Sequence, residues 1–203
     1  MADVPTKMPS MLRANCQTIQ YHDPLINNAG SGLWGLFGRQ GESQILDLLQ
    51  VNVTAVTLLT RLALPRMVTQ RRGRILNVAS AGAFAPGPLM AGYFASKSYV
   101  LHFSEAIANE LEGTGVTVTA LCPGPVPTGF SAASGMVDVN LQELPGALDA
   151  ATVASIGYRS MRRGKRVVVP GIAMKLLIFG IRVGPRWLIT RITRRLQERK
   201  AAQ

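Results

Sequence analysis

The sequence is poor in the residues that build metal sites and disulfide frameworks. Its 203 residues include two cysteines, Cys16 and Cys122, and two histidines, His22 and His102. None of the four has a neighbour at ligand spacing, so the sequence predicts neither a metal site nor a disulfide scaffold. The chain does not start with the charged and then apolar pattern of a signal peptide. No apolar run reaches the roughly eighteen residues of a membrane-spanning helix. We therefore expect a cytoplasmic protein.

Acidic residues are scarce, and the basic residues are unevenly distributed. The chain has 22 Lys and Arg against 11 Asp and Glu, a formal net charge of +11. Residues 159–203 hold thirteen of those bases and one acid, Glu198, which gives +12 there and leaves −1 for the rest. A uniformly basic nucleic-acid-binding domain would look different, and the basic C-terminal segment lacks the interleaved aromatic and glycine residues of single-strand binders. We expect no nucleic-acid partner.

Apolar patterning predicts strands that alternate with helices along the chain. Short apolar runs indicate strands at residues 24–30, 73–80, 116–121 and 165–169. Longer segments with helical periodicity indicate helices at residues 43–71, 91–112 and 150–163. This alternation favours an α/β fold with a parallel sheet and helices on both faces. Because ligands bind beyond the carboxyl ends of such strands, the residues that follow each strand are the candidate site.

A tyrosine and a lysine at helical spacing are the main chemical signal. Tyr93 and Lys97 are four residues apart, so they share one helix face, and Ser80 precedes Tyr93 by thirteen residues. A phenol titrates near pH 10, and a neighbouring ammonium is expected to lower its pKa. A serine from a strand end would hold a carbonyl oxygen beside that phenol. The three residues together predict proton transfer at an oxygen while a hydride moves at the attached carbon.

Five motifs occur together in one order along residues 24–171. They are LINNAG (25–30), VNVTA (51–55), NVAS (77–80), Tyr93-x-x-x-Lys97 and CPGPVPT (122–128). As a set they resemble the short-chain dehydrogenase/reductase family, and the longer pattern at residues 87–111 is most similar to its bacterial DltE-type branch. The resemblance implies a Rossmann-like doubly wound parallel sheet and an NAD(P)-dependent oxidoreductase that interconverts a carbonyl and an alcohol.

The resemblance also implies a role for each matched residue. Tyr93 would be the general acid or base, Lys97 would lower its pKa and bind the nicotinamide ribose, and Ser80 would orient the substrate. Asn52 would hold a water of the proton relay. The residues implied at NAD or NADP are Tyr93 and Lys97 themselves, Asn28, Ala29 and Gly30 on the adenosine side, and Pro123, Gly124, Val126 and Thr128 at the nicotinamide end.

Some of these residues have structural alternatives. Ser80 alternatively caps the end of a strand. Asn52 lies on an apolar helix face, where a buried amide needs partners, so a purely structural asparagine is the alternative. The pair at residues 27–28 either stabilises the sheet or contacts the cofactor. The G-x-G-x-x-G pattern at residues 30–35 lacks the strand that a dinucleotide loop requires after its helix, so we do not expect it to bind phosphate.

The glycine-rich loop with which this family begins has no match in the sequence. Residues 1–23 are polar and aperiodic, and a strand-helix-strand unit needs thirty or more residues. We therefore expect an N-terminally truncated Rossmann-like sheet: an irregular segment at 1–23, a partial domain at 24–171 and a basic helical tail at 172–203. Dinucleotide affinity should be impaired, and the first strand should present an open, apolar sheet edge.

Two functions remain open at this point. The first is an oxidoreductase acting on a small hydrophobic carbonyl or alcohol, because the expected substrate walls at residues 81–90 and 130–144 are apolar. The second is an inactive remnant that serves as a membrane-surface or protein-interaction module. Residues 172–203 form apolar, basic, tryptophan-bearing helices, which suit a peripheral contact with an anionic membrane. The alternative for these helices is packing against the domain or against a second copy in a homo-oligomer.

Overall fold

Four parallel strands form the centre of the fold. The computed structural model describes residues 24–136 and 147–199, and within these ranges the strands pair in the order β1-β2-β3-β4. They are β1 Leu25–Asn27, β2 Gly73–Val78, β3 Val116–Leu121 and β4 Val167–Val168. All three pairings are parallel, and Asn27 aligns with Asn77, which aligns with Ala120. The carboxyl ends of the strands therefore lie along one edge of the sheet.

Helices connect the strands and continue beyond the last one. They are α1 Glu42–Leu49, a π-helical segment Gln50–Ala55, α2 Val56–Thr69, α3 Ala91–Glu110, α4 Phe130–Ala133, α5 Ala150–Arg162, α6 Ile172–Val183 and α7 Arg186–Arg199, with short 3₁₀ helices at Phe37–Arg39 and Ala81–Phe84. Asp149 begins α5 by accepting a hydrogen bond from the Thr152 N–H at 2.8 Å.

The sheet carries helices on both faces, as the sequence predicted. Alternate residues of β2 point to opposite sides because the side chains of a strand alternate. Ile75 packs in a cluster with Ala63 and Met67 of α2 and Ala108 of α3. Its neighbour Leu76 belongs to a second cluster, which also contains Val153 and Met161 of α5. The predicted doubly wound α/β fold is therefore confirmed for the described residues.

The predicted strands and helices are present in the structure, and most of them are shorter than predicted. The strand predicted at 116–121 has those bounds in the structure, whereas the other three predicted strands are each shorter than expected. The helix predicted at 43–71 is a continuous helical run from α1 to α2, interrupted by the π-helical segment that the sequence did not predict. The wall predicted at 130–144 includes α4, and residues 137–146 lie outside the described residues. Residues 1–23 also lie outside them.

The run from α1 to α2 is also long and apolar enough, by composition, to cross a membrane. Its packing in the fold identifies it instead as one of the helical layers on the sheet. Thr60 is fully buried within hydrogen-bonding distance of Asn27 on β1, and Asn52 is fully buried against α3. A helix whose polar side chains bond to neighbouring elements in this way belongs to the protein core.

β1 is an edge strand among the described residues, and its outward-facing Ile26 is 47% exposed. The predicted open, apolar edge is therefore present in this part of the chain. Its inner side is held by polar bonds: the buried Asn27 amide donates to Asn77 Oδ1 at 2.8 Å, and Asn77 donates to Ser104 Oγ at 2.9 Å. These bonds tie the edge strand to β2 and α3.

Candidate active site

Ser80 and Tyr93 meet at the carboxyl end of β2. Ser80 follows that strand by two residues and caps the 3₁₀ helix Ala81–Phe84, accepting the Gly82 N–H at 3.0 Å. Its hydroxyl also lies close enough to the phenol of Tyr93, in the first turn of α3, to lower the pKa of that phenol. The capping role and the proposed catalytic role of Ser80 are thus compatible. The cap fixes the hydroxyl in the position from which it reaches the phenol.

The phenol of Tyr93 is half-buried between aromatic rings. The Phe130 ring lies 5.1 Å from its centroid and the Phe94 ring 6.0 Å away, nearly perpendicular. Burial raises the pKa of Tyr93 above its ordinary value, and the neighbouring Ser80 hydroxyl offsets part of the rise. The predicted net lowering of this pKa is therefore wrong for this structure, because removal of the phenol from water outweighs the influence of the Lys97 charge. At neutral pH the phenol carries its proton.

Lys97 is buried directly beneath the loop that follows β1. Its side chain is 4% exposed, and its Nζ donates to the Val78 carbonyl at 2.8 Å and lies 5.9 Å from the Tyr93 ring centroid. Burial lowers the pKa of Lys97 to about 8, against an opposing influence of Cys122. An ammonium has three N–H donors, so the bond to Val78 leaves two available to a ligand.

Asn52 has a structural role as well as a position in the site. Its Oδ1 accepts the Ser31 N–H, and its Nδ2 donates to the Ser31 carbonyl and to Ser96 Oγ, each at 2.9 Å. Both amide hydrogens are used, so only Oδ1 retains capacity to bind a water. The structure therefore favours the structural alternative for this side chain. Asn52 lies in the π-helical segment, a distortion that frequently occurs at functional sites.

The residues at the end of β1 have two roles: Asn27 stabilises the sheet, and the residues that follow it lie at the candidate site. Asn27 is buried in the polar bonds of the sheet, whereas Asn28, Ala29 and Gly30 are exposed. A Cβ on Gly30 would lie 3.1 Å from Lys97 Nζ and 3.5 Å from Asn52 Oδ1. Glycine at this position therefore keeps the space above the lysine open. Asn28 and Ala29 beside it are exposed, and their contact with a cofactor remains a prediction.

The proline-glycine turn after β3 lies beside Ser80. The Pro123 carbonyl accepts the Ala81 N–H at 2.7 Å, which joins the turn to the 3₁₀ helix. Gly124 is half-buried, and a Cβ there would meet Met174 of α6 at 2.5 Å. Thr128 is exposed and its hydroxyl accepts the Phe130 N–H at 3.3 Å, whereas Val126 packs on the cluster beneath α5. Of the four residues predicted to contact the nicotinamide, Val126 thus packs partly in the hydrophobic core.

The G-x-G-x-x-G pattern at residues 30–35 packs against protein. Gly32 is buried, and a Cβ there would lie 2.6 Å from Ser134 Oγ and 2.7 Å from Phe130 Cζ. The chain then enters a 3₁₀ helix and α1 without an intervening strand. The loop therefore positions Phe130 over Tyr93 and has no open space for a phosphate at Gly32, in agreement with the sequence analysis.

Two contributors to the site, Ser96 and Met174, were not identified from the sequence, and the contact of Phe130 with Tyr93 was not foreseen, although Phe130 lies in the predicted wall at residues 130–144. Ser96 anchors Asn52 and donates to the Tyr93 carbonyl at 2.7 Å, Phe130 covers the phenol, and Met174 fills the space at Gly124. The position of Ser96, three residues after Tyr93 on one helix face, was an available signal. The other two contacts join segments far apart in the chain, and no local pattern indicates them.

The described residues at the strand ends fit an NAD(P) cofactor beside Lys97. The two available donors of Lys97, the open space above Gly30 and the exposed Asn28 and Ala29 face the same strand ends as Ser80 and Tyr93. Within residues 24–136 and 147–199 no glycine-rich loop joins a strand end to an adjacent helix N-terminus with free space for a pyrophosphate. Among the described residues, the fit therefore does not extend to the pyrophosphate.

The model of the short chain dehydrogenase family matches residues 4–136 of this chain. Since the match covers well over half of the sequence, the chain belongs to that family. The match begins at residue 4 and so reaches into the segment 1–23, for which sequence analysis alone found no family motif.

Two curated relatives match between half and about two thirds of the chain. Ketoacyl reductase HetN of Nostoc sp. is 38% identical over 102 residues, which cover 50% of this chain and 36% of that protein. The 3-oxoacyl-(acyl-carrier-protein) reductase FabG of Vibrio cholerae is 32% identical over 129 residues, covering 64% of this chain and 53% of the relative. The chain therefore spans between a third and about half of the length of these proteins.

A solved structure supports the fold. The short-chain dehydrogenase from Sphingobium yanoikuyae in complex with NADPH aligns with a TM-score of 0.73 and 28% sequence identity. The alignment covers 85% of this chain and 68% of the other. This chain therefore shares the Rossmann-like architecture of that family member.

Proposed function

We propose that this protein is an NAD(P)-dependent oxidoreductase that interconverts a carbonyl and an alcohol, with Ser80, Tyr93 and Lys97 as its catalytic residues. The convergence of the Ser80 hydroxyl and the Tyr93 phenol at the end of β2, beside the buried Lys97, carries the proposal. Family membership and the ketoacyl reductases among the relatives support the reaction class. The inactive-remnant alternative has no comparable support in this geometry.

The protonation states favour reduction of a carbonyl near neutral pH. Ser80 donates a hydrogen bond to the substrate oxygen, and Tyr93, which burial keeps protonated, transfers its proton to the same oxygen. The Lys97 ammonium stabilises the phenolate that results, through its charge at 5.9 Å from the ring. A bound nicotinamide supplies the hydride. Phe130 covers the phenol and excludes water from it.

The substrate that suits this site is small and hydrophobic. The described walls include the half-buried Phe84 and Phe130 and the buried Met90, and they offer few polar side chains. The pattern at residues 87–111 supports placement in the DltE-type branch, which remains a prediction. Weak cofactor binding by this 203-residue chain is also a prediction. It rests on the absence of a phosphate loop from the described residues. Two missing phosphate hydrogen bonds, at about 1.5–3 kcal/mol each, would weaken affinity at least about a hundredfold.

Oxidation of NADH or NADPH in the presence of hydrophobic ketones, with the Tyr93→Phe variant as the matched control, tests the proposed activity. The variant keeps the ring that packs on Phe130 and loses the proton, so we expect the rate to fall by about 10²–10⁴ with the melting temperature unchanged. Equal rates for the two proteins would refute the assignment. Calorimetric titration with each dinucleotide separately tests affinity, and tight, saturable binding would refute the predicted impairment.

A further inference from the structure

Helix α6 has an apolar stripe on each of two opposite sides. Met174 and Ile178 face the domain and are 7% and 5% exposed. The opposite side carries four large apolar residues at helical spacing, which we call the outer stripe. They are Ile172, Leu176, Phe179 and Val183, with exposures of 77%, 67%, 65% and 69%. A helix that only packs on its own domain needs one apolar face, so the outer stripe requires another explanation.

Helix α7 also carries exposed apolar side chains. Leu188, Ile192 and Leu196 recur every four residues and are 38%, 48% and 54% exposed. Trp187 at the start of the helix is 67% exposed. Gln197 is 6% exposed, so this helix also has a buried side and a solvent-facing side. The two helices together present apolar side chains to solvent along their whole length, among them a tryptophan of the kind enriched at membrane interfaces.

The apolar surface is flanked by positive charge. Basic residues on the two helices that are exposed are Lys175, Arg182, Arg186, Arg191, Arg194 and Arg195. The acid in this segment, Glu198, is engaged with Arg194 at 2.7 Å. Residues 172–203 carry eight bases and one acid, a net charge of +7. Two copies of the chain would bring two such segments together, and their repulsion opposes a homodimer through this surface.

An anionic lipid surface satisfies both features at once. Its headgroups attract the arginines, and the acyl boundary accepts apolar side chains, which is the arrangement of helices that lie in the plane of a membrane interface. A nucleic acid would satisfy the charges and leave the outer stripe in water. We propose that α6 and α7 dock this protein on the surface of an anionic phospholipid bilayer.

The docked orientation would bring the bilayer close to the strand ends. Met174 contacts the Gly124 turn, and the Arg182 guanidinium lies 5.3 Å from the centre of the Phe84 ring. The Met174 contact is on the inner side of α6 and the Arg182 contact is on its flank, so the outer stripe is about one helix diameter, 10 Å, from the carboxyl edge of the sheet. The docking proposal does not depend on the catalytic assignment, because none of the residues in the outer stripe belongs to the active site.

Sedimentation of the full chain with vesicles tests the proposal. We expect binding to vesicles of equal parts phosphatidylcholine and phosphatidylglycerol, little binding to phosphatidylcholine alone, and release by salt. The double variant Leu176→Ser/Phe179→Ser should lower partitioning at least about tenfold, because both side chains would leave the lipid. Arg191→Gln/Arg195→Gln should lower it about 25-fold, since each interfacial charge contributes about a fivefold effect.

Matched controls carry the same chemical changes on the body of the protein. Phe37→Ser/Leu46→Ser alters two apolar side chains that are each 58% exposed, and Arg61→Gln/Arg72→Gln removes two exposed charges. Both controls should bind as the wild type does, with circular dichroism verifying that every variant is folded. Absence of wild-type binding, or equal loss in the controls, would overturn the proposal. A dimer in analytical ultracentrifugation that Leu176→Ser/Phe179→Ser dissociates would assign the stripe to a second copy and overturn it as well.

Discussion

Burial of Lys97 predicts that the stability of the fold depends on pH, independently of any catalytic role of this residue. Its pKa falls from 10.5 to about 8 in the folded protein because burial penalises the charged form. The unfolded chain therefore binds more protons than the folded one between these two values, and stability rises with pH across that window. Replacing Lys97 with methionine, which has similar length and no charge, should remove this pH dependence.

The magnitude follows from linkage. A depression of 2.5 pH units (10.5 − 8) corresponds to about 3 kcal/mol of destabilisation at neutral pH. Lys97→Met relieves it but leaves the Val78 carbonyl without its donor, at a cost of about 1–3 kcal/mol. The two effects nearly cancel near neutrality, so the slope is the informative quantity. Between about pH 7 and about pH 9 the wild type should gain about 1 kcal/mol relative to the variant.

Urea denaturation at several pH values measures this difference directly. The matched control is Lys165→Met, which removes an exposed lysine and should keep the wild-type slope. Parallel stability curves for the wild type and Lys97→Met would show that the lysine is not held in a charge-penalising environment. That result would refute the burial argument on which the electrostatics of the site depend.

Three further predictions test separate parts of the site. The rate of carbonyl reduction should fall as pH rises through about 8, because Lys97 then loses the charge that stabilises the phenolate; a kcat/KM profile that is flat in this range would contradict this role. Asn52→Ala should lower the free energy of unfolding in urea by about 2–4 kcal/mol, because its three hydrogen bonds are lost in a fully buried position. Gly32→Ala should displace the Phe130 ring, 2.7 Å from the new Cβ, and lower kcat/KM about tenfold. Gly38→Ala, with nothing within 4 Å, is its control, and equal kinetics in both would contradict the covering role of that ring.

The sequence predicted those parts of the fold that depend on local pattern. Residues 116–121 alternate as a strand should and have those bounds in the structure. The strand predicted at 165–169 is reduced to Val167–Val168, because pairing with β3 extends only to Ala120 and Leu121. The π-helical segment was not predictable, since one extra residue per turn over six residues barely changes the apolar periodicity.

The sequence predicted which residues form the candidate site better than it predicted their pKa values. Ser80 and Tyr93 converge as their motif spacing predicted. The expected lowering of the Tyr93 pKa by Lys97 was inferred from helical spacing. Such spacing predicts that two side chains are close together, but it does not predict how deeply they are buried. In the fold the lysine bonds to the Val78 carbonyl, and desolvation of the phenol outweighs its charge. The position of Phe130 over Tyr93 depends on a loop packing that no short-range pattern specifies.

Hydride transfer itself is the most direct test of the central claim, that Ser80, Tyr93 and Lys97 form one reducing site. Reduced nicotinamide deuterated at its transferable position would be supplied in excess with a hydrophobic ketone, and the alcohol analysed by mass spectrometry. The account predicts deuterium on the carbinol carbon with the wild type and its loss with Tyr93→Phe. Labelled alcohol in equal yield from both proteins, or none from the wild type at saturating cofactor, would contradict it.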